Sequence, residues 1–382
     1  METSLFDYHL PTERIAQKPT QQRDASRLLV VNRKDHSLEH RSFKDITDYL
    51  GPSDFLFRNT AKVLPARIFA KRPTGGKVEC LLLRPAAESN SETSPAGHSP
   101  NSESAWHASR SSKSEGWWCL LRPGKKLPPG STFAAEDFSA EVLQKNDNAE
   151  YLVAFTLSVH SSVSEMAAAH GKMPLPPYIS RETEDSRDGE DIERYQTRYA
   201  NDNKMVAAAA PTAGLHFNDE LLNKLSQQGV TFHDLVLHVG MGTFKPLEAD
   251  NIEDHEIHRE IYEISAEAQS ALRFAPAEGK RRVCVGTTSV RTIEDYLRKT
   301  NTNQPTTYTN EADIFIYPPR KFAGVDALIT NFHLPKSTLL CLVSSFLAPG
   351  KEDGILWLKE IYQEAIKEEY RFLSYGDAML IL

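Results

Sequence analysis

Three features that mark other protein classes are missing from this chain of 382 residues. Its four cysteines form no CxxC pair and have no histidine at zinc-ligand spacing, which excludes a zinc ribbon and a disulfide scaffold. We expect reduced, buried thiols at Cys80, Cys119, Cys284 and Cys341. The longest apolar run, at 339–348, falls well short of the roughly 20 residues that a membrane helix needs. No charged-then-apolar leader precedes Leu5, so the sequence predicts a soluble, cytoplasmic protein.

An excess of positive charge is also missing, because 44 Lys and Arg face 52 Asp and Glu, a net charge of −8. Proteins that coat nucleic acid nonspecifically need clustered cations, so any RNA contact of this chain must be local. Two clusters before and after predicted strands could provide it, although ordinary solvated loop charge is the alternative for either one alone. The candidate RNA-binding residues are Lys62, Arg67, Lys71, Arg72, Lys77, Arg122, Lys125 and Lys126.

The length predicts two domains, and the two parts of the sequence differ in their predicted secondary structure. Short apolar runs at 78–83, 117–121 and 151–155 predict strands, so the region 67–160 forms a small all-β module. A polar stretch at about 86–115 is a low-complexity hairpin loop. From residue 174 onward, strands alternate with helices, which predicts an α/β fold with a mostly parallel sheet.

Two polar turns follow predicted strands in this second half. The turn at 286–292 (GTTSVRT) begins a helix that Thr288 or Ser289 can cap, and the turn at 330–335 (TNFHLP) begins another. The carboxyl ends of strands are where open α/β sheets bind ligands, and helix N-termini there attract anions. Thr287, Thr288 and Arg291 could therefore bind a carboxylate or a phosphate. The alternative is a structural capping turn with a solvated arginine.

Three histidines occur in turns rich in small and hydroxyl residues, at 210–217 (APTAGLHF), 238–244 (HVGMGTF) and 330–335. Small residues there let a flat ring approach the backbone. A lone histidine is more often structural, but His216, His238 and His333 in three such turns make proton transfer equally plausible. The neighbouring candidates for substrate binding are Thr212, Gly214, Gly240, Gly242, Thr243 and Asn331.

Two other site types receive little support. His255 and His258 lie three apart near Asp254 and Glu256, but no third ligand is evident, so we predict no metal. The chain lacks the GxGxxG fingerprint, which argues against an ordinary S-adenosylmethionine-dependent methyltransferase.

Taken in order, these motifs resemble one family. They continue with 370–379 (YRFLSYGDAM), and further matches occur at 6–11 (FDYHLP), 15–17, 62–67 (KVLPAR), 75–79, 174–179 (PLPPYI) and 193–197. The series, from Phe6 to Met379, is similar to the S-adenosylmethionine:tRNA ribosyltransferase-isomerases of queuosine synthesis. The chain departs from that pattern at 317–320 (YPPR), where the family has Pro-Gly and an aromatic, and in the insert at 86–115.

The resemblance implies a β-barrel-like domain (67–160) inserted into a larger α/β catalytic domain (1–66 and 161–382). It also implies that ribosyl passes from S-adenosylmethionine to 7-aminomethyl-7-deazaguanine at the tRNA wobble position, giving epoxyqueuosine, adenine and methionine. S-adenosylmethionine is then a substrate, and no cofactor is needed. We hypothesise that His216, His238 or His333 transfers protons while Thr287, Thr288 and Arg291 hold the methionine carboxylate. We expect a monomer.

Two alternatives remain open on the sequence alone. An RNA-binding protein could keep the fold without the activity, as the departure at 317–320 would permit. An unrelated methyltransferase is disfavoured by the missing glycine fingerprint.

Overall fold

The computed structural model describes residues 1–86, 114–181, 185–240, 242 and 245–382. The predicted low-complexity loop falls almost wholly outside these residues, as does Thr243. The chain divides into two compact units. The larger unit comprises Met1–Lys62, Leu175–Asp185 and Glu193–Leu382, and the smaller unit comprises Val63–Pro174 and Ser186–Ile192.

Strands and helices alternate through the larger unit and strands dominate the smaller one. The strands are β1 (Arg27–Val31), β2 (Leu38–Ser42), β3 (Asp54–Asn59), β4 (Lys62–Val63), β5 (Arg67–Lys71), β6 (Lys77–Pro85), β7 (Ser114–Arg122), β8 (Thr132–Ala134), β9 (Phe138–Lys145), β10 (Tyr151–Leu157), β11 (Met205–Ala207), β12 (Thr231–Leu237), β13 (Glu260–Ile264), β14 (Arg281–Val285), β15 (Tyr308–Ala312), β16 (Ala327–Asn331) and β17 (Ala378–Ile381). The α-helices are α1 (Val163–His170), α2 (Asp188–Arg194), α3 (Asp219–Gln227), α4 (Ala266–Phe274), α5 (Thr287–Lys299), α6 (Thr338–Leu347) and α7 (Gly354–Lys367). Short 3₁₀ helices occur at Thr3–Phe6, Thr12–Arg14, Arg23–Ala25, Phe43–Asp48, Gly124–Lys126, Asp202–Lys204, Thr212–His216 and Ile252–Asp254.

The larger unit is built on a nine-stranded sheet in the order β15-β13-β12-β3-β14-β16-β17-β1-β2. Its centre, β12-β3-β14-β16, is parallel, and β17 pairs parallel with β1. The remaining neighbours are antiparallel, so the sheet is mixed rather than mostly parallel. The α/β architecture is confirmed, and the expected parallel pairing holds for the strands that precede the two polar turns.

The central strands are apolar runs because helices cover both faces of the sheet. Along β14, Val283 and Val285 pack into the cluster on one face, while Cys284 packs into the cluster on the other. The first cluster includes residues of α3, and the second includes residues of α4 to α7. This two-sided burial fixes the register, because a slip of one residue would exchange the two faces.

The smaller unit is a closed six-stranded antiparallel barrel in the order β10-β7-β6-β5-β8-β9, so the expected barrel-like domain is confirmed. The unit extends beyond the predicted limits of 67–160. After α1 the chain pairs back onto β5, where the Lys172 amide donates to the Arg67 carbonyl and the Arg67 amide donates in return. These bonds hold α1 with the barrel.

In the described ranges, no helix is both long and apolar enough to cross a membrane. All four cysteines are buried with free thiols, as expected. Burial raises the pKa of the Cys284 thiol, which favours its neutral form.

Candidate functional site

A cavity of about 290 Å³ opens in the larger unit where β14 and β16 end. Its lining combines a helix N-terminus, hydroxyls, an amide and an imidazole with several apolar side chains. The polar side of the lining is Thr212, Thr287, Thr288, Thr330, Asn331, His333, Ser337, Ser374, Tyr178 and Lys245. The strand ends therefore bring together parts of the motifs at 210–217, 286–292 and 330–335, of which the sequence placed the last two at the carboxyl ends of strands.

One wall of the cavity is the start of α5. The helix begins at Thr287 after Gly286, whose φ of 86° is left-handed, and no side chain caps it. The expected cap by Thr288 or Ser289 is wrong, because both residues lie within the helix, and Ser289 Oγ donates to the Val285 carbonyl at 2.8 Å. The first N–H groups of a helix have no intrahelical partners, so this wall presents donors and a positive dipole end to the cavity.

Another part of the lining holds a fixed network of hydrogen bonds. Asn331 Nδ2 lies 3.2 Å from the Leu373 carbonyl, which can only accept, so this side of the amide is the donor. Its Oδ1 then accepts from Thr212 Oγ1 at 3.0 Å. Asn331 Nδ2 also lies 3.1 Å from His216 Nε2, so this ring nitrogen is the acceptor. The other ring nitrogen of His216, Nδ1, therefore carries the proton and donates to Ser26 Oγ at 2.7 Å.

This network leaves the Thr212 oxygen with acceptor capacity toward the cavity, because its proton is engaged by Asn331. His216 itself does not line the cavity and is 4 % exposed. Burial, together with Arg371 and Arg23, lowers the pKa of His216 to about 3. A neutral imidazole is what the network requires, so the geometry makes His216 the residue that orients Asn331.

His333 is the one of the three predicted histidines that lines the cavity. Its Nε2 lies 2.8 Å from Thr330 Oγ1, its amide donates to Tyr362 Oη at 3.0 Å, and its carbonyl accepts from Tyr8 Oη. Burial lowers the pKa of His333 to about 3, so this ring is also neutral near pH 7. Two tyrosines thus hold the backbone that presents the imidazole.

His238 lies away from this cavity. Its neighbour Val239 lines the cavity, while His238 Nε2 lies 3.6 Å from Glu263 Oε1, near Lys204. Burial lowers the pKa of His238. His238 and Val239 belong to the same sequence motif, but only Val239 lines the cavity, and the motif alone does not show which of the two does so.

Arg291 departs from its predicted role as a carboxylate clamp. Its Nη1 pairs with Glu260, its Nε donates to the Ile314 carbonyl at 3.2 Å, and its Nη2 donates to the carbonyls of His258 and Ala312. Arg291 lines a smaller cavity of about 40 Å³ rather than the larger one. The guanidinium therefore braces α5 against the chain around β13 and β15.

The predicted glycines contribute mainly close packing. A Cβ on Gly214 would lie 2.1 Å from Tyr199 Oη, and one on Gly242 would lie 2.2 Å from His258 Cδ2. The Gly240 amide donates to Glu260 Oε1 at 2.8 Å, which ties this turn to the Arg291 brace. None of these three is among the residues that line the larger cavity.

Sequence reasoning missed several cavity residues. Lys245 places an exposed ammonium side chain at the lining, and the Tyr178 and Ser374 hydroxyls lie 2.7 Å apart there. The sequence motifs could have indicated these residues. Tyr178 lies in the motif at 174–179, Ser374 lies in the motif at 370–379, and Lys245 directly follows the motif at 238–244. The departure at 317–320 lines neither described cavity.

The predicted RNA-binding residues separate into two groups. Lys62 pairs with Asp202 at 2.6 Å and Arg67 with Glu79 at 2.6 Å, so both cations are already neutralised. The other six lie at one end of the barrel, where β5 ends, β6 begins and β7 ends. This barrel-end cluster consists of Lys71, Arg72, Lys77, Arg122, Lys125 and Lys126.

The strand register supports this grouping. In the backbone register, Lys71 on β5 lies opposite Lys77 on β6, and Arg122 on β7 lies opposite Glu79 on β6. Lys125 and Lys126 follow in the next 3₁₀ turn, and all of these cations except the half-buried Arg72 are exposed. Like charges directly opposite each other destabilise a sheet, which is a cost that a polyanion would relieve.

Nearly the whole chain is similar to proteins of one family. A family model described as "Queuosine biosynthesis protein" matches residues 3–381. The chain is 43% identical to the S-adenosylmethionine:tRNA ribosyltransferase-isomerase of Thermotoga petrophila and 41% identical to that of Staphylococcus saprophyticus, over all of both chains in each case. A crystal structure of S-adenosylmethionine tRNA ribosyltransferase from Thermotoga maritima is 34% identical, with a TM-score of 0.51, over 99% of this chain and 100% of that one.

Proposed function

The chain belongs to the queuosine biosynthesis protein family, and from this premise we propose how its cavity carries out the family's reaction. Its activity is that of an S-adenosylmethionine:tRNA ribosyltransferase-isomerase. In our proposal, ribosyl passes from S-adenosylmethionine to the aminomethyl group of 7-aminomethyl-7-deazaguanine at the wobble position of tRNA. Adenine and methionine leave, and epoxyqueuosine remains.

The observation that carries this proposal is the meeting of an uncapped helix N-terminus and a fixed polar network in one cavity. The methionine carboxylate binds at the start of α5, where Thr287 and Thr288 lie, because anions are stabilised there by N–H groups and the helix dipole. Lys245, rather than Arg291, supplies the cation, since the Arg291 guanidinium is engaged elsewhere.

The low pKa of His333 decides whether this residue acts as a protonated acid or as a neutral hydrogen-bonding group. Protonating a group with a pKa of about 3 near pH 7 costs about 5 kcal/mol, and a neighbouring sulfonium would raise that cost. We therefore assign His333 a hydrogen-bonding role toward the departing adenine, as a neutral imidazole. The sulfonium itself acidifies the proton next to it, so the proposal needs no metal or redox cofactor.

The cavity volume lies at the lower end of the roughly 300–1,000 Å³ typical of small-molecule sites. A cavity of this size admits only the reacting parts of S-adenosylmethionine and of a single extruded base, so the rest of the tRNA must lie outside. Enzymes that act on bases commonly extrude them from the stack, and an anticodon loop offers unstacked bases. The barrel-end cluster is our candidate contact for the tRNA phosphates.

The carboxylate assignment is tested by Lys245→Met, which keeps length but removes charge. We expect the KM for S-adenosylmethionine to rise about 10-fold or more, since a charge-assisted contact contributes about 1.5–3 kcal/mol. Lys351→Met, a change of an exposed lysine absent from the cavity lining, is the matched control. An unchanged KM for Lys245→Met would remove this residue from the proposal.

The tRNA assignment is tested by Lys125→Glu combined with Lys126→Glu. We expect weaker tRNA binding, with the slope of its salt dependence reduced by about one for each phosphate that the variant no longer neutralises. Lys359→Glu in α7 provides a control of equal charge change per residue. Wild-type affinity and salt dependence in the double variant would exclude this part of the barrel-end cluster.

No specific observation favours an inactive RNA-binding protein, because the described cavity supplies groups suited to the reaction. A methyltransferase would transfer a methyl group without releasing adenine, so product analysis separates the two activities. We propose a monomer that works in the cytoplasm, where tRNA and S-adenosylmethionine are both present.

A further inference from the structure

A second group of chemistry-bearing side chains lies in the smaller unit, where no step of the reaction has been assigned. Asp137 follows β8, His160 precedes α1 and His170 is the last residue of that helix. One donor atom from each lies within 4.8 Å of the other two. Sequence spacing does not reveal this cluster, because the three residues follow no metal-ligand pattern and meet only in the folded barrel.

The separations match those of ligands that share a metal ion. The two imidazole Nε2 atoms are 3.2 Å apart, and His160 Nε2 lies 3.6 Å from Asp137 Oδ2. Nitrogen and oxygen ligands around a tetrahedral Zn²⁺ stand about 3.3 Å from one another. The third pair, His170 Nε2 and Asp137 Oδ2, is closer than this because the two atoms are in direct contact, and it must move apart when an ion enters.

The backbone around this cluster is already held in place. The Asp137 carbonyl accepts both the amide of Ser158, at 3.0 Å, and its hydroxyl, at 2.7 Å. The side chains of Asp137 and His160 are mostly buried, at 19% and 12% exposure, while that of His170 is half exposed at 51%. An ion would thus have two positioned ligands, one adjustable ligand and an open side for water.

We propose that Asp137, His160 and His170 form a divalent metal site, with Zn²⁺ the ion of best fit, that fastens α1 to the barrel. Two imidazoles and one carboxylate are typical zinc ligands, and water completes the four-coordinate shell. The ion would join the turn after β8 to both ends of α1. Its role is structural, because none of the three ligands belongs to the cavity of the transferase reaction.

Titration of the metal-free, full-length protein with ZnCl₂ alone in a calorimeter tests the proposal. We expect one ion per chain with a Kd of about 1 µM or tighter. Loss of one ligand in His170→Ala should weaken binding at least about 100-fold, and Asp137→Asn should do the same. His9→Ala, which removes an exposed histidine outside the cluster, should bind as the wild type does.

Two further readouts separate a built site from surface binding. Co²⁺ in place of Zn²⁺ should give the intense visible absorption of a tetrahedral ion, and His170→Ala should abolish it. Zn²⁺ at about 100 times the wild-type Kd should raise the Tm of the wild type by about 5 °C and that of His170→Ala by less than about 1 °C. Absence of stoichiometric binding, or equal binding by His170→Ala and the wild type, would overturn the proposal.

Discussion

Acid should destabilise the larger unit through two buried histidines whose pKa is strongly lowered by folding. His216 and His333 are 4 % and 8 % exposed, and their pKa falls from 6.5 to about 3 on folding. Between pH 6.5 and 3 the two imidazoles therefore bind protons in the unfolded chain but stay neutral in the folded chain. The stability present above pH 6.5 is lost as the pH falls toward 3. At pH 5 each histidine removes about 2 kcal/mol from the free energy of unfolding, or about 4 kcal/mol together.

Urea denaturation at pH 7.0, 6.0, 5.5 and 5.0 measures this loss. His333→Gln keeps a polar atom near the position of Nε2 but cannot bind a proton, so its loss between pH 7 and 5 should be about 2 kcal/mol smaller than that of the wild type. His9→Gln is the matched control, since His9 is exposed.

Carboxyls titrate in the same experiment but cancel in the comparison. Burial raises the pKa of Glu294 and of Asp377, which acts in the opposite direction, but both residues are present in the wild type and in the variant. The difference between the two curves therefore reports the substituted histidine alone. If His333→Gln and the wild type lose stability in parallel, the burial argument for a neutral imidazole is refuted.

Three further predictions concern the cavity and its support. Arg291→Ala removes the cation beside the buried Glu260 carboxylate, so the free energy of unfolding should fall by about 3–5 kcal/mol in urea; a loss below about 1 kcal/mol would contradict the brace. Thr212→Val should lower kcat for adenine release about 10-fold or more while Thr212→Ser stays near the wild type, and equal rates would remove the hydroxyl from the mechanism. Gly286→Ala forces a side chain to φ 86° with its Cβ 3.3 Å from Thr288 Oγ1, so calorimetry should show a lower Tm, and an unchanged Tm would deny the strain.

The sequence predicted those features that depend on local pattern. Apolar runs before the turns at 286 and 330 predicted strands whose carboxyl ends meet, and the structure places Thr287 and Asn331 on the same cavity. Asparagine is a favoured residue at a helix N-cap, and the Asn218 side chain at the start of α3 accepts the Leu221 amide at 2.7 Å. Each of these follows from hydrophobic burial and helix capping within a few residues.

Features set by long-range contacts could not be predicted in this way. The antiparallel pairing of β16 with β17 depends on a C-terminal strand that enters the sheet beside β1, far away in the sequence. Arg291 in α5 pairs with Glu260, which lies on β13, instead of contacting the larger cavity. The cluster at His170 likewise exists only because the barrel closes.

The most direct test of the central claim is chromatographic measurement of adenine and methionine from the wild-type protein with S-adenosylmethionine and tRNA carrying 7-aminomethyl-7-deazaguanine. We predict equal amounts of both products, a heavier nucleoside in the tRNA, and no release with tRNA that carries unmodified guanine. Folded protein that binds this tRNA but releases neither product would contradict the account.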